Sequence, residues 1–383
     1  MKIALIQKNF SSHKGGAEQY AVNLAGALMR QGHEVTVFAN QWDRSSAEGL
    51  KFEYVPMIKS PSFLQTFSFV RNTQKALSKG RYDIVHSLAR VFPQDVYRMS
   101  DGIYRYWLAV KERNRFKRLM NFFSLRHLAI LLVEKQIFAK GNFRRIIANS
   151  QLCKGHAIQY YDVDPAHITV IQNGVDFDRF NPRVRFAYRE KLRTSYNIAE
   201  DDIVILFVAM NFRRKGLIPL LKALSFLSNT DRVKLLVVGK GKTGYFKRLA
   251  SKMGIGEKVI FAGPTSKMEQ YYGGADFFVL PTYYDPFANV CVEALACGLP
   301  VVTTRTNGAS EMIEPGENGF VVNKPDDIKQ LLEAIIKLTN PKLRNSMAEN
   351  AFESVKHLTI EEHVSKVCRV YEEILKEKRA RQD

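Results

Sequence analysis

Short apolar runs alternate along this chain with longer stretches of helical apolar spacing. Lys2–Gln7 is strand-like, Ala17–Gln31 places its apolar residues on one helical face, and Glu34–Ala39 is strand-like again. Further runs at Ile84–Ser87, Ile146–Ala148 and Ile168–Ile171 are short, apolar and bounded by polar or glycine turns, as buried parallel strands are. The rhythm predicts a first doubly wound α/β sheet. A second series follows at Ile203–Val208, Lys234–Val238, Val259–Ala262, Phe277–Leu280, Pro300–Thr303 and Phe320–Val322. Between the two series, Gln172-Asn173-Gly174-Val175-Asp176 leads into a Pro- and Arg-containing stretch suited to a linker. The expected organisation is a domain over 1–172, a second over 173–358, and a terminal segment, 359–383. Val364, Val367, Val370, Tyr371 and Ile374 give that last segment a helical apolar face, which is expected to pack back on the first domain.

At 383 residues the chain is long enough for two ordinary cores. Cys153, Cys291, Cys297 and Cys368 form no CxxC pair, which fits a reducing compartment. The opening apolar run is too short for a secretory h-region, so a cytoplasmic location is expected. The net charge of +19 predicts attraction to a polyanion. Much of it is local: eleven basic residues lie between Arg105 and Arg145, against Glu112 and Glu134. Arg113, Arg115, Lys117, Arg118 and Arg126 are interleaved there with Trp107, Phe116, Phe122 and Phe123. The longest uninterrupted apolar run in that segment, Leu128–Val133, is far short of the ~20 residues of a spanning helix. A basic, aromatic, amphipathic insertion over 105–145 is expected to lie on an anionic membrane surface; the competing reading is a core helix with a solvated basic face.

Several motifs carry candidate chemistry. Gly15-Gly16-Ala17-Glu18 opens the first helix, where free amides and the helix dipole can hold a phosphate. Arg213-Arg214-Lys215-Gly216 follows the strand at Ile203–Val208, on the edge where α/β ligand sites lie. Its forked guanidinium and point-charge ammonium suit a diphosphate. Gly239-Lys240-Gly241-Lys242-Thr243-Gly244 formally matches GxGxxG, but no acidic residue follows the next strand to hold a ribose. Asp162-Val163-Asp164 could suggest a metal pair, though Asp164 precedes a proline in a turn and reads as a cap. His86 ends a strand and is either a lining residue or an ordinary core histidine.

The segment Asp285-Pro286-Phe287-Ala288-Asn289-Val290-Cys291-Val292-Glu293, followed by an apolar helix and Gly298-Leu299-Pro300, resembles the signature of the retaining group 1 glycosyltransferases, family 4, of the GT-B fold. Gly15-Gly16, Asn173-Gly174-Val175-Asp176 and Arg214-Lys215-Gly216 extend the resemblance over most of the chain. Within the family it looks closest to lipopolysaccharide-core heptose glucosyltransferases. The resemblance implies two Rossmann-like domains facing a cleft, with an acceptor-binding first domain and a donor-binding second one. It places the donor nucleotide sugar against Gly15, Gly16, Asp285, the amides of Phe287, Ala288, Asn289 and Val290, and the ribose against Glu293. Asp101 would stand beside the donor sugar, and Arg214 and Lys215 would offset the leaving diphosphate, so no metal or other cofactor is expected. The first acid of the pair is usually Glu in the family and is Asp285 here. The implied reaction moves a hexose, such as glucose from UDP-glucose, with retention, onto a lipopolysaccharide inner-core heptose or similar membrane glycolipid. Alternatives are mannosyl or N-acetylhexosaminyl transfer to a lipid-linked acceptor, or a non-catalytic polyanion binder on a degenerate scaffold. No nucleic-acid partner is expected.

Overall fold

The computed structural model describes residues 1–11, 15–43, 49–111, 124–227 and 232–381. The chain divides into two compact units, Met1–Gly174 with Ile360–Asp383, and Val175–Thr359.

The first unit runs β1 (Lys2–Ile6), β2 (Asn9–Phe10), α1 (Gly16–Arg30), β3 (Glu34–Ala39), β4 (Gln41–Trp42), β5 (Lys51–Tyr54), α2 (Ser62–Leu77), β6 (Ile84–Ser87) and β7 (Val96–Met99). It continues with α3 (Tyr104–Lys111), α4 (Leu125–Ile137), β8 (Arg145–Ala148), α5 (Gln151–Tyr161) and β9 (Ile168–Val170). Seven strands form one parallel sheet in the order β5-β3-β1-β6-β7-β8-β9. Its inner strands are apolar on both faces because helices cover both. The final helix of the chain belongs to this unit too. Its Val364, Val367, Val370, Tyr371 and Ile374 join one buried cluster with Leu24 and Leu28 of α1 and Ile3 and Leu5 of β1.

β5 and β7 are absent from the sequence expectation, and each has a physical reason. β5 is an edge strand whose residues are largely exposed, so it lacks an apolar signature. β7 is fully buried yet contains Arg98, which breaks its apolar run. Arg98 lies over the Tyr20 ring at 4.1 Å and donates to Asn173 Oδ1.

The second unit contains α6 (Val184–Ser195), β10 (Ile203–Ala209), α7 (Leu217–Ser225), β11 (Val233–Gly239), α8 (Thr243–Lys252), β12 (Val259–Gly263), α9 (Met268–Gly274) and β13 (Phe277–Leu280). There follow α10 (Asn289–Ala296), β14 (Val301–Thr304), β15 (Gly319–Val322), α11 (Ile328–Thr339) and α12 (Pro341–Val355); the terminal helix is α13 (Ile360–Arg379). The sheet order is β12-β11-β10-β13-β14-β15, all parallel. Each strand lies within a residue or two of its expected bounds, since every one is a mainly apolar run rich in β-branched, leucine or aromatic residues.

Two buried histidines hold α13 in place. His86 accepts or donates at Nδ1 to Tyr371 OH (2.5 Å), and His363 bonds Tyr20 OH (2.9 Å) and the Gln172 carbonyl (2.6 Å). His86 is therefore a core residue under α13 and lines no site. Burial, aided by the Arg98 charge, pushes both imidazoles down to about 3. Unfolding at pH below their ordinary value of 6.5 thus takes up protons that the folded state refuses. Stability of this unit is expected to fall as pH drops from 6.5 toward 3, by about 1.4 kcal/mol per pH unit for each histidine. Urea unfolding followed by fluorescence reports this unit, because both tryptophans, Trp42 and Trp107, lie in it. The double variant His86→Gln/His363→Gln should flatten the slope between pH 6 and 4; an undiminished slope would contradict the assignment.

Candidate functional site

In the second sheet the chain steps outward from β10 to β11 and β12, then returns to the other side of β10 with β13. The crevice outside the carboxyl ends of β10 and β13 is therefore a topological switch point, where open α/β sheets bind ligands. The loops leaving these two strands are Met210–Gly216 and Pro281–Ala288, and they are tied together. Tyr283 N–H donates to Arg214 O (3.0 Å) and Thr282 Oγ1 to the same carbonyl (3.4 Å). Lys215 Nζ is ion-paired with Asp285 Oδ2, both side chains about nine-tenths buried. Arg213 and Arg214 are exposed.

Gly216 makes this approach geometrically allowable. It caps α7 with φ +85°, and a Cβ there would fall on the Pro281 carbonyl oxygen. The glycines of the GxGxxG-like run have the same origin. Gly239 has φ +118° against the Ala209 carbonyl, and Gly241 lies beneath the Phe212 ring. They close the packing between the ends of β10 and β11, so the motif does not need a dinucleotide to explain it.

Burial, then the neighbouring Arg214 charge, pushes the Lys215 ammonium down to about 7. The Asp285 carboxylate opposes that by favouring the charged form. Eight positions on, Glu293 projects from α10, half-buried, and accepts from Tyr272 OH (2.8 Å). Burial raises its carboxyl, with the Tyr272 bond and the Arg179 charge acting the other way.

Asn307 and Tyr272 escaped the sequence reading. Asn307 is fully buried. Its Oδ1 accepts from Ala288 N–H (3.1 Å) and Ala309 N–H (3.1 Å), and its Nδ2 donates to Thr303 Oγ1 (2.9 Å) and Cys291 Sγ (3.3 Å). It thereby locks the Asp285 loop to the β14 loop. The only sequence signal is an Asn-Gly turn after an apolar strand. Two of the four amides expected at the donor are used within this unit. Phe287 N–H donates to Asp285 Oδ1 (3.1 Å) and Ala288 N–H to Asn307. The sharp turn before α10 needs those caps. Asn289 and Val290 form the first turn of α10.

In the first unit, Gly15 and Gly16 begin α1 beyond the end of β1, and Asp101 follows β7 at the same carboxyl edge. Asp101 sits in a turn with an exposed side chain paired to Arg90 (3.2 Å), and Gly102 adopts φ +66°. Asp162 is the left-handed cap of α5, and Asp164 accepts from Ala166 N–H (2.9 Å). Both act as caps. Among the described residues, no group of three His, Cys, Asp or Glu side chains could hold a metal ion.

Of the five basic residues expected at a membrane, Arg113, Arg115, Lys117 and Arg118 lie outside the described residues; Arg126 is exposed on α4. That helix buries His127, Ala129, Val133, Glu134 and Ile137. Glu134 accepts from Tyr104 N–H (2.6 Å), Arg105 N–H (3.1 Å) and Tyr161 OH (2.6 Å), fastening α4 to the start of α3. The opposite side shows Leu125, Leu128 and Leu132, 61%, 45% and 49% exposed, and α2, packed beside it, adds exposed Leu64 and Phe67. No helix among the described residues is long and apolar enough to cross a membrane.

Two parallel α/β sheets, the second with a charged cluster at its switch point, have the GT-B glycosyltransferase architecture. Residues 14–179 match the family described as Glycosyltransferase Family 4 and residues 188–354 the family described as Glycosyl transferases group 1. The chain belongs to this glycosyltransferase family. It is 27% identical to the lipopolysaccharide glucosyltransferase WaaG of Escherichia coli K12, over 88% of this chain and 90% of that protein. It is 29% identical to D-inositol 3-phosphate glycosyltransferase 2 of Catenulispora acidiphila, over 90% and 80%. A crystal structure of WaaG superposes with a TM-score of 0.83 at 24% identity, covering 96% of this chain and 99% of that one. The Anabaena protein HepE, solved with UDP and glucose, gives 0.73 at 21% identity, over 97% and 100%.

The close approach at Gly216 is testable against a glycine with similar φ but open space. Gly254 has φ +73° and nothing within 4 Å of a built Cβ. Gly254→Ala should cost about 1–2 kcal/mol, the left-handed penalty alone, and Gly216→Ala measurably more in urea unfolding of the second unit. Equal losses would contradict the packing role of Gly216.

Proposed function

We propose that the protein is a retaining hexosyltransferase that takes glucose from UDP-glucose and adds it to a lipopolysaccharide inner-core heptose or a similar membrane glycolipid. The observation that carries the donor half is the placement of a buried Lys215, the adjoining Arg214 and two acids eight residues apart at the switch point of the second sheet. Such a cluster of fixed cations stabilises charge developing on a departing diphosphate. Glu293 is assigned to the ribose hydroxyls, the first-turn amides of α10 to the donor, and Gly15, Gly16 and Asp101 to further donor contacts contributed by the first unit. The ring passes through an oxocarbenium-like state as the bond to phosphate breaks, the acceptor hydroxyl attacks from the leaving-group side, and its proton passes to the departing phosphate. With Arg214 and Lys215 supplying counter-charge, the reaction needs no divalent ion.

The acceptor half is supported by the similarity to WaaG and by the exposed leucines of α4 beside basic residues, a face suited to anionic lipid. In this reading the enzyme works at the cytoplasmic face of the inner membrane. Similarity to an inositol-phosphate glycosyltransferase favours a second reading, transfer of another hexose or an N-acetylhexosamine to a different acceptor.

Transfer from a panel of nucleotide sugars to lipid-linked acceptors decides between them. UDP-glucose with a heptose-bearing acceptor should give product with retained configuration. Lys215→Ala should lower turnover by about 10²–10³, the scale of losing one preorganised electrostatic donor, and EDTA should leave the rate unchanged. Full activity in Lys215→Ala, or loss in EDTA with recovery in magnesium, would contradict the mechanism. For the membrane, the triple variant Leu125→Ser/Leu128→Ser/Leu132→Ser should weaken binding to anionic vesicles at low salt; undiminished binding would remove α4 from that role.

A further inference from the structure

A carboxylate that reads a sugar hydroxyl must offer a lone pair to the ligand. Each oxygen of Asp285 already has a partner within its own unit, and the remaining lone pairs belong to a side chain that is about nine-tenths buried. Oδ1 accepts the Phe287 N–H at 3.1 Å, and Oδ2 meets Lys215 Nζ. Its backbone is fixed as well: Asp285 N–H donates to Thr306 O (3.0 Å), and its carbonyl accepts from Gly308 N–H (2.9 Å). The side chain is therefore held by two partners on a fixed backbone, and 11% of it is exposed. Being one methylene shorter than Glu, it lies in its loop with its charge turned onto the lysine.

We infer that Asp285 is a positioning residue, which sets the aim and keeps the charge of Lys215 through their buried ion pair, and is not itself the contact for the donor sugar. The inference rests on the donor-site reading given above and assigns Asp285 a different part in it.

The surroundings explain why the lysine needs such a partner. Burial and Arg214 both disfavour its charged form; the Cys291 thiol on α10 acts the other way, but burial pushes that thiol up to about 12, so at neutral pH it carries no full counter-charge. Glu293 on the same helix acts on the Cys291 thiol and accepts from Tyr272. Asp285 is the carboxylate in contact with the ammonium. An ammonium has three N–H donors, so Lys215 can keep Oδ2 of Asp285 and still give two bonds to phosphate oxygens. A lysine both aimed and charged before the donor arrives loses no reorganisation energy when the diphosphate binds.

The test reads the lysine directly. In the full-length protein with 13C- and 15N-labelled lysine, the Lys215 side-chain resonance is assigned by its loss in Lys215→Met and titrated in the wild type, Asp285→Asn and Asp285→Glu. Asp285→Asn keeps an acceptor for the Phe287 amide, so the loop is expected to survive. Its Lys215 should titrate at least one pH unit below wild type, a tenfold stronger acid, with Asp285→Glu restoring most of the difference. In parallel, UDP affinity is followed against pH by calorimetry. Affinity falls as pH rises through the lysine's titration, so the midpoint of that fall should move down by a unit or more in Asp285→Asn. A Lys215 titration unmoved by Asp285→Asn overturns the inference, as does a loss of affinity equal at every pH, which would make Asp285 a direct ligand contact. Should UDP fail to bind the wild type at all, the donor-site reading falls, and the resonance titration alone decides the role of Asp285.

Discussion

A cation buried at a strand edge is the constraint around which the second unit is arranged. Taking an ammonium and a carboxylate out of water costs several kcal/mol for each, and their attraction recovers it only with close geometry and further hydrogen bonds. The Lys215–Asp285 pair has that geometry because two loops from neighbouring strands are clamped at the Arg214 carbonyl, which accepts from the Tyr283 amide and the Thr282 hydroxyl. Gly216 permits the clamp, and Asn307 extends it to the next loop. So much local structure spent on one ion pair gives little stability that an apolar pair could not supply, and on the proposed reading its use is to present a fixed positive charge to a ligand.

The second sheet was legible residue by residue because its strands are mainly apolar runs between polar loops. The Arg-Lys-Gly and Asp285–Glu293 motifs stood out because they begin in those loops. What escaped were features that depend on partners distant in sequence. β7 hides behind Arg98, which is tolerated in a buried strand by the Tyr20 ring and the Asn173 carbonyl oxygen of its side chain. Asn307 looks like any Asn-Gly turn until its four hydrogen bonds are counted across three segments. His86 left two readings open in sequence, and packing against Tyr371 decides for the core.

Among the described residues, the insertion following β7 contributes one helix, α4, with two unlike faces. Glu134, 1% exposed, turns inward to cap α3, so α4 is a packed element with a buried polar anchor. Its other face is apolar and outward, flanked by Arg126 and Lys135. An uncharged helix-to-helix contact would not need that basic flank, and a solvated helix would not need three exposed leucines in one stripe.

The claim on which the rest turns is that Lys215 is the charge that receives the diphosphate. It is tested most directly by the protons exchanged on binding. Calorimetry of UDP binding in buffers of different ionisation enthalpy should show affinity that falls as pH rises through the titration of Lys215, with net proton uptake by the wild type on the alkaline side of it, because a bound diphosphate favours the charged lysine. The uptake should vanish in Lys215→Met. Binding of UDP without proton uptake, and with the same affinity in that variant, would contradict it.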